Sequence, residues 1–304
     1  MAAKGVIGAF CAIAVASASI AQAKDDEAPI VLDPAGPWQL DMAENKCRIA
    51  RLFEAGERRA LFYLEQWSPD EVALWTVAGE DFKRFRDWRD TTFTFGPGGQ
   101  SGEFKFVKST FGEFGAAINH QSALVPSGKP DFDWETHDYT LYPHGLPALD
   151  ADAAEGVTTL SLTQKNRVTV SLNLGDMKAP LSAMNHCMED LVETWGFDPE
   201  EQKTVQSPPR IENLVAVARE IQERYPSSAL NAGHQADFHV RLTISAAGQI
   251  ENCVLLNQTL AEGFDMKRGP CAAFERIAEI EPARTKGGEA VRSYYTTRIV
   301  YRIG

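Results

Sequence analysis

The stretch FHVRLTISAAGQIENCVLL, residues 238–256, decides the fold class of the C-terminal third of the chain. Its first seven residues alternate apolar and polar side chains, a period of two that is typical of a β-strand with one buried face. Ala246-Ala247-Gly248 then predicts a turn, and residues 250–256 predict the returning strand. The pattern therefore predicts an antiparallel hairpin.

Elements on both sides of this hairpin complete a small domain. Residues 225–230 predict a short helix, and residues 271–280 predict a second one. Glu281-Pro282-Ala283-Arg284 breaks that second helix, and the alternation resumes over residues 294–303. Residues 225–304 are thus predicted to form a two-helix, three-stranded antiparallel sheet domain.

Residues 24–200 have a different organisation, with many alternating segments and one helical segment. Alternation typical of strands recurs over residues 38–42, 47–52, 60–65, 92–95, 103–106, 157–162 and 167–174. Residues 177–195 instead have apolar side chains three and four apart, which predicts a helix with one apolar face. The glycine-rich run 96–102 precedes a strand pattern and not a helix, so it predicts a hairpin loop rather than a phosphate loop. The whole chain is predicted to be α+β, with a β-rich N-terminal domain closed by a helix.

Residues 201–224, between these two parts, are predicted to be a linker helix. Ser207 can cap a helix that begins with Pro208 and Pro209, because proline is tolerated in the first turn. Apolar residues from Ile211 to Ile221 then recur at helical spacing.

Residues 1–23 have the pattern of a secretory signal peptide. Lys4 precedes an uncharged stretch over residues 6–20, and Ala21-Gln22-Ala23 matches the small-residue site that signal peptidase cuts. We expect cleavage after Ala23 and a periplasmic protein. The alternative is an uncleaved anchor in the inner membrane, because the stretch is nearly long enough to span a bilayer.

Charge and cysteine content narrow the function classes. The 304 residues carry 30 Lys and Arg against 42 Asp and Glu, a net charge of −12, which argues against binding to nucleic acid. Of five cysteines, Cys11 falls in the expected signal peptide, and Cys47, Cys187, Cys253 and Cys271 remain. Four cysteines in an oxidising compartment indicate two disulfides, with three pairings open. We favour Cys47–Cys187 and Cys253–Cys271, because each pair then lies within one predicted domain.

Motifs for catalysis or metal binding are weak. The sequence has no G-x-S-x-G nucleophile motif and no H-E-x-x-H zinc motif, so we predict that the protein is not an enzyme. Residues 109–155 predict a long loop without periodic structure, and this loop holds acidic and histidine side chains at Asp131, Asp133, Glu135, His137, Asp138 and His144. Their spacing fits no metal-binding loop, and we predict neither a metal nor another cofactor. Hydrolysis by the β-rich domain stays an alternative.

The C-terminal residues resemble the TonB C-terminal domain family, over about residues 208–304. The matching features are a Q-x-x-Y-P motif at Gln222, Tyr225 and Pro226, then Ala229, Gly233, the alternating strand, the Gly248 turn, Glu281-Pro282-Ala283 and the closing strand. Cys253 and Cys271 resemble the cysteine pair of a secreted subgroup of these domains. The chain departs from the family at Ala278-Glu279-Ile280, where a Trp-Arg-aromatic run is usual, and it lacks the long Pro/Lys-rich segment of an energy transducer.

The resemblance implies capture of an extended peptide by strand addition. The residues that the resemblance implies as peptide contacts are Gln222, Arg224, Tyr225 and Pro226. It also implies contacts from one face of the last strand, formed by Tyr295, Thr297, Ile299 and Tyr301. The implied partner is a segment of an outer-membrane receptor or of another envelope protein.

Three alternatives stay open. The face of the last strand can be core, with the strand edge self-paired in a homodimer. The protein can be an anchored TonB-type energy transducer for outer-membrane receptors. It can also be an envelope adaptor whose N-terminal domain binds the partner.

Overall fold

The computed structural model describes residues 28–127, 144–233, 236–256 and 269–301, and over these residues the fold is α+β and rich in strands. The expected signal peptide, residues 1–23, lies outside the described residues, as do Asp131 to Asp138 of the acidic loop. Within the described ranges, no helix is long and apolar enough to cross a membrane.

One large sheet dominates the N-terminal unit. Its strands are β1 Ile30–Pro34, β2 Gln39–Ala43, β3 Lys46–Ala55, β4 Arg58–Gln66, β5 Ala73–Gly79, β6 Thr91–Gly96, β7 Ser101–Phe104, β8 Ser109–Phe111, β9 Gly115–Ser122, β10 Thr159–Gln164 and β11 Val168–Asn173. Their order is β7-β6-β10-β11-β1-β3-β4-β5-β9-β8, and β2 pairs with β3 at the side. The first strand, β1, pairs in parallel with β11 and antiparallel with β3, so it joins the late strands to the early ones.

The sheet curls until its two ends meet around an aromatic core. Trp75 of β5 is fully buried, and its ring lies 5.6–6.0 Å from those of Phe93, Phe95 and Phe104 on β6 and β7. The Gln100 N–H of the β6–β7 turn donates to the Leu124 carbonyl beyond β9, at 2.8 Å. Burial of these rings contributes strongly to the stability of this unit, because aromatic side chains remove large apolar areas from water.

Helix α1, Lys178–Thr194, closes the N-terminal unit as the sequence predicts. Its apolar face, which includes Leu181, Met184 and Leu191, is buried in the same core as the sheet. Cys187 of α1 forms a disulfide with Cys47 of β3, with their Cα atoms 6.2 Å apart. The predicted pairing is confirmed, and it fixes the helix to the sheet.

The C-terminal part has short elements around a second sheet. They are α2 Pro199–Lys203, β12 Val205–Ser207, β13 Arg210–Ile211, α3 Leu214–Glu223, α4 Ser227–Ala232, β14 Ala236–Ile244, β15 Ile250–Leu255, α5 Pro270–Ile277, β16 Ile280–Glu281, β17 Ala283–Thr285, β18 Ala290–Val291 and β19 Ser293–Tyr301. Strands β15, β14 and β19 form an antiparallel sheet in that order. The second predicted disulfide, Cys253–Cys271, joins β15 to α5.

The structure corrects two expectations at this level. Ser207 does not cap a helix, because it ends β12, and β13 follows Pro208 and Pro209 and pairs with β16. The helix begins only at Leu214. Residues 109–155 are also not one irregular loop, since β8 and β9 occupy their first part and complete the large sheet.

Candidate functional site

The candidate site is the β15-β14-β19 sheet, and its core face is packed against helices. Val240, Leu242 and Ile244 of β14 point to this face and are fully buried. Val217 of α3 and Phe274 of α5 cover them. The alternation that predicts the hairpin therefore has its expected cause, a strand with one face in an apolar core.

Strand β19 is, with β15, one of the two edges of this sheet among the described residues. The direction of its backbone groups follows from the contact in which the Leu256 N–H donates to the His239 carbonyl at 2.7 Å. His239 therefore directs its backbone groups to β15, and the next residue, Val240, directs its own to β19, where it pairs with Thr297. Thr296, one residue before Thr297, thus directs its N–H and C=O away from the sheet.

A side chain of α3 already uses one of these outward groups. The Gln222 Nε2 donates to the Val300 carbonyl at 3.3 Å, and Val300 has the same direction as Thr296 on the strand. Gln222 is an exposed residue at the C-terminal end of α3. It therefore occupies a position where an added strand would place a backbone N–H.

The other residues of the Q-x-x-Y-P segment have structural contacts. Arg224 pairs with Glu220 at 2.5 Å, and Glu220 also pairs with Arg276 of α5. The hydrogen bond from Arg224 lowers the pKa of Glu220, and the charge of Arg276 adds to this effect. Tyr225 packs against the apolar core, and Pro226 precedes α4. Gln222 of this segment contacts β19 through a side-chain hydrogen bond.

The predicted contact face of β19 lies against the core. Tyr295, Thr297 and Ile299 share one face as predicted, and Ile299 is buried beside α3 and α5. Burial raises the pKa of Tyr295, while a hydrogen bond with Thr297 lowers it. Tyr301 pairs with Ala236 at the end of the strand, and its side chain lies outside the described part. At the edge of β19, a peptide would therefore contact backbone N–H and C=O groups and not these side chains.

The N-terminal unit covers the opposite face of the sheet. Trp67 stacks on His239 of β14 with ring centroids 5.1 Å apart. The Arg241 guanidinium lies 3.9 Å above the centroid of the Trp195 ring, which meets Tyr294 of β19 edge-on at 5.4 Å. The polar face of β14 is thus an interface between the two units, and aromatic and cation–π contacts stabilise it.

Charged groups at this interface are desolvated. Burial lowers the pKa of Arg241 to about 10, and the charges of Tyr294 and Glu44 act in the opposite direction. Burial also raises the pKa of Tyr294, and nearby Asp70 raises it further. Both effects follow from the loss of water around a group that would carry charge.

Two polar contacts connect β19 to segments outside its own sheet, one in the N-terminal unit and one in α2. The Ser68 and Thr296 hydroxyl oxygens lie 3.2 Å apart, which places the β4–β5 connection beside the edge strand. The Ser293 hydroxyl donates to the Gln202 side chain of α2 at 2.7 Å. The edge of β19 is therefore bordered by α3 on one side of the sheet and by the β4–β5 connection on the other.

Compared with models of known protein families, with curated proteins and with solved structures, the chain matches none of them. Across the residues that the structure describes, no group of three His, Cys, Asp or Glu side chains is placed to hold a metal ion. The geometry of β19 and of the surfaces beside it is what bears on function.

Sequence reasoning missed Trp67, Ser68 and Trp195 as neighbours of the site. Trp195 is the last residue of the apolar pattern over residues 177–195, which predicts a helix and not a contact with β14. His239 and Arg241 alternate with apolar residues, as on a strand with one solvent-exposed face, so the local pattern holds no signal of this interface.

Proposed function

We propose that this protein is an exported envelope protein that captures an extended peptide as an added strand on β19. The observation that carries the proposal is an edge strand of nine residues whose alternate backbone groups, as at Thr296, point away from the sheet. Edge strands offer hydrogen bonds to any extended chain that approaches in register. The resemblance to TonB C-terminal domains supports the same mode of binding.

Specificity would come from the two borders of the edge. Alternate side chains of an added strand point to opposite faces, because successive residues of a strand alternate. One set would face α3 near Gln222, and the other would face the β4–β5 connection near Ser68. The proposed partner is a peptide of an outer-membrane receptor or another envelope protein. Its side chains would contact both the N-terminal unit and the C-terminal part of the chain.

Two disulfides support the exported location. Cys47–Cys187 and Cys253–Cys271 join elements in both units. Disulfides of this structural kind persist in oxidising compartments such as the periplasm and are rare in the cytosol.

A single substitution can separate strand addition from other modes of binding. Thr296→Pro removes an outward N–H of β19 and leaves the bonds between β19 and β14 in place, so the fold is expected to tolerate it. We expect it to weaken binding of peptides copied from the periplasmic segments of outer-membrane receptors by about tenfold or more, since one hydrogen bond is lost and the proline ring obstructs the added strand. Fluorescence anisotropy of labelled peptides measures the change.

Thr296→Val is the matched control, because it keeps the N–H and the shape of the side chain. Equal affinity of Thr296→Pro and the wild type would contradict strand addition, as would the absence of binding to every peptide at high micromolar concentration. If sedimentation shows a wild-type dimer that Thr296→Pro abolishes, the edge pairs with a second copy instead of a peptide.

A further inference from the structure

A cationic patch lies on the N-terminal unit of this acidic protein. Three segments, residues 83–90, 105–108 and 165–167, together hold eight Lys or Arg and two Asp, whereas the whole chain has a net charge of −12. We call these three segments the arginine patch. The patch is far in sequence from β19 and is independent of the proposed peptide capture.

Side chain to backbone hydrogen bonds hold two of the segments together. The Arg86 N–H donates to the Gln164 side chain at 2.9 Å, and the Gln164 Nε2 donates back to the Arg86 carbonyl at 2.7 Å. The Arg167 Nε donates to the Arg84 carbonyl at 2.7 Å. Because Gln164 is buried, these arginines are presented from a fixed backbone.

Ion pairs add the third segment and use both aspartates. Lys105 lies 3.7 Å from Asp90, and Lys108 lies 3.5 Å from Asp87. Glu80, which lies three residues before the patch, pairs with Lys83. The aspartates are therefore neutralised by lysines of the patch.

Three arginines of the patch have no carboxylate partner among the described residues. Arg86, Arg89 and Arg167 make no ion pair within the described ranges. Burial is the largest cause that lowers the pKa of Arg167. The positive charges of Arg86, Arg89 and Arg84 lower it further, which shows that these side chains lie close together. Like charges held this close favour an anion from outside the protein.

Two apolar side chains project from the same patch. Trp88 is 68% exposed and Val107 is 77% exposed. They are the chain neighbours of Asp87 and Lys108, which pair with each other, so the two exposed side chains start from adjacent segments of the backbone. The Arg89 guanidinium lies 5.4 Å from the Trp88 ring centroid. An exposed tryptophan beside unpaired arginines combines an apolar group with charge at the same place.

We propose that the arginine patch docks this protein on an anionic phospholipid bilayer, with Trp88 and Val107 entering the interfacial layer. Tryptophan favours the boundary between headgroups and acyl chains, and basic residues are attracted to anionic headgroups. Because the protein as a whole has a net charge of −12, an anionic surface favours the orientation in which the patch faces it. Duplex DNA, whose bases are stacked inside the double helix, would be bound by the arginines and would gain little from the apolar side chains.

Vesicle sedimentation tests the proposal. The protein is prepared from residue 24, which keeps every described contact and leaves out the apolar stretch 6–20, because that stretch could bind lipid itself. We expect binding to vesicles of phosphatidylglycerol and phosphatidylcholine and little binding to phosphatidylcholine alone. Arg86→Gln with Arg89→Gln is expected to lower the partition coefficient about 25-fold, since each basic residue contributes about fivefold.

The apolar part is tested separately with matched controls. Trp88→Ser and Val107→Ser are expected to weaken binding several-fold, whereas Val215→Ser, at a residue of α3 that is 75% exposed, and Arg219→Gln leave it unchanged. Equal binding to both kinds of vesicle, or none to either, would overturn the proposal. If the arginine variant loses binding to vesicles and to DNA alike while Trp88→Ser behaves as the wild type, the patch is a polyanion site and not a bilayer site. Melting curves of each variant verify folding.

Discussion

At the scale of single residues, protonation of His144 makes the stability of the fold depend on pH. Its backbone N–H donates to the Gln206 carbonyl at 2.9 Å, so it lies where the N-terminal unit meets β12. Burial lowers the pKa of its imidazole to about 4, although the charge of Glu71 acts in the opposite direction. The folded protein therefore keeps this imidazole neutral in mildly acidic solution, where an exposed histidine is charged.

We expect His144 to make the protein less stable in acid. The unfolded imidazole, with its usual pKa near 6.5, binds a proton more tightly than the folded one. The stabilisation is therefore complete above pH 6.5 and is lost as the pH falls from 6.5 towards 4, which amounts to about 2–3 kcal/mol at pH 4.5. Urea unfolding at pH 7 and pH 4.5 is expected to show a smaller loss for His144→Gln than for the wild type.

His186→Gln is the matched control for that measurement, because His186 is exposed on α1. If the wild type and His144→Gln lose the same free energy of unfolding between the two pH values, the proposed protonation linkage of His144 is wrong.

At the scale of elements, the contact between α3 and β19 makes Gln222 a competitor of the peptide. Its Nε2 already donates to the Val300 carbonyl, which an added strand would use. Gln222→Ala is therefore expected to tighten peptide binding by up to about fivefold, because a single net hydrogen bond is worth about 1 kcal/mol. Weaker binding by Gln222→Ala in the same anisotropy assay would mean that the side chain contacts the peptide directly, as the family resemblance implies.

The sequence predicts long elements and misses short ones. Strands such as β3 and β14 have enough alternating residues for the period to be recognised, and α1 repeats its apolar positions over four turns. Strands β12 and β13 have three and two residues, too few to show any period. Their pairing with distant segments, rather than local preference, determines their conformation, which is why the helix predicted from Ser207 was wrong.

The edge itself could be predicted only in outline. The resemblance implies a final strand that accepts a peptide, but which residues direct backbone groups outward depends on hydrogen-bond register. The hydrogen bond from the Leu256 N–H to the His239 carbonyl reveals that register. No local pattern in the sequence of β19 indicates it.

At the scale of the whole molecule, the two units share an interface that the sequence did not indicate. His239 and Arg241 alternate with apolar residues, a pattern typical of a solvent-exposed face. They are instead covered by Trp67 and Trp195, which lie far away in the sequence. Contacts of this kind depend on the assembled fold, so periodicity within one strand cannot reveal them.

This interface is expected to make unfolding cooperative between the units. Differential scanning calorimetry of the wild type is expected to show one transition. Trp195→Ala removes the contacts to Arg241 and Tyr294, so we expect a cost of about 3 kcal/mol and a separate transition at lower temperature. Trp88→Ala, at an exposed tryptophan, is the control and is expected to keep one transition. Two transitions in the wild type would show that the units unfold independently.

The position of β1 has a consequence for how the protein is made. Of the described strands, β1 is synthesised before the others, yet one of its two neighbours is β11. Cys47 of β3 likewise lies 140 residues before its disulfide partner, Cys187. A nascent or truncated chain that ends before α1 therefore has an unclosed sheet and an unpaired thiol. Such incomplete chains depend on chaperones and are ready substrates for proteases, so the topology itself distinguishes finished molecules from interrupted ones.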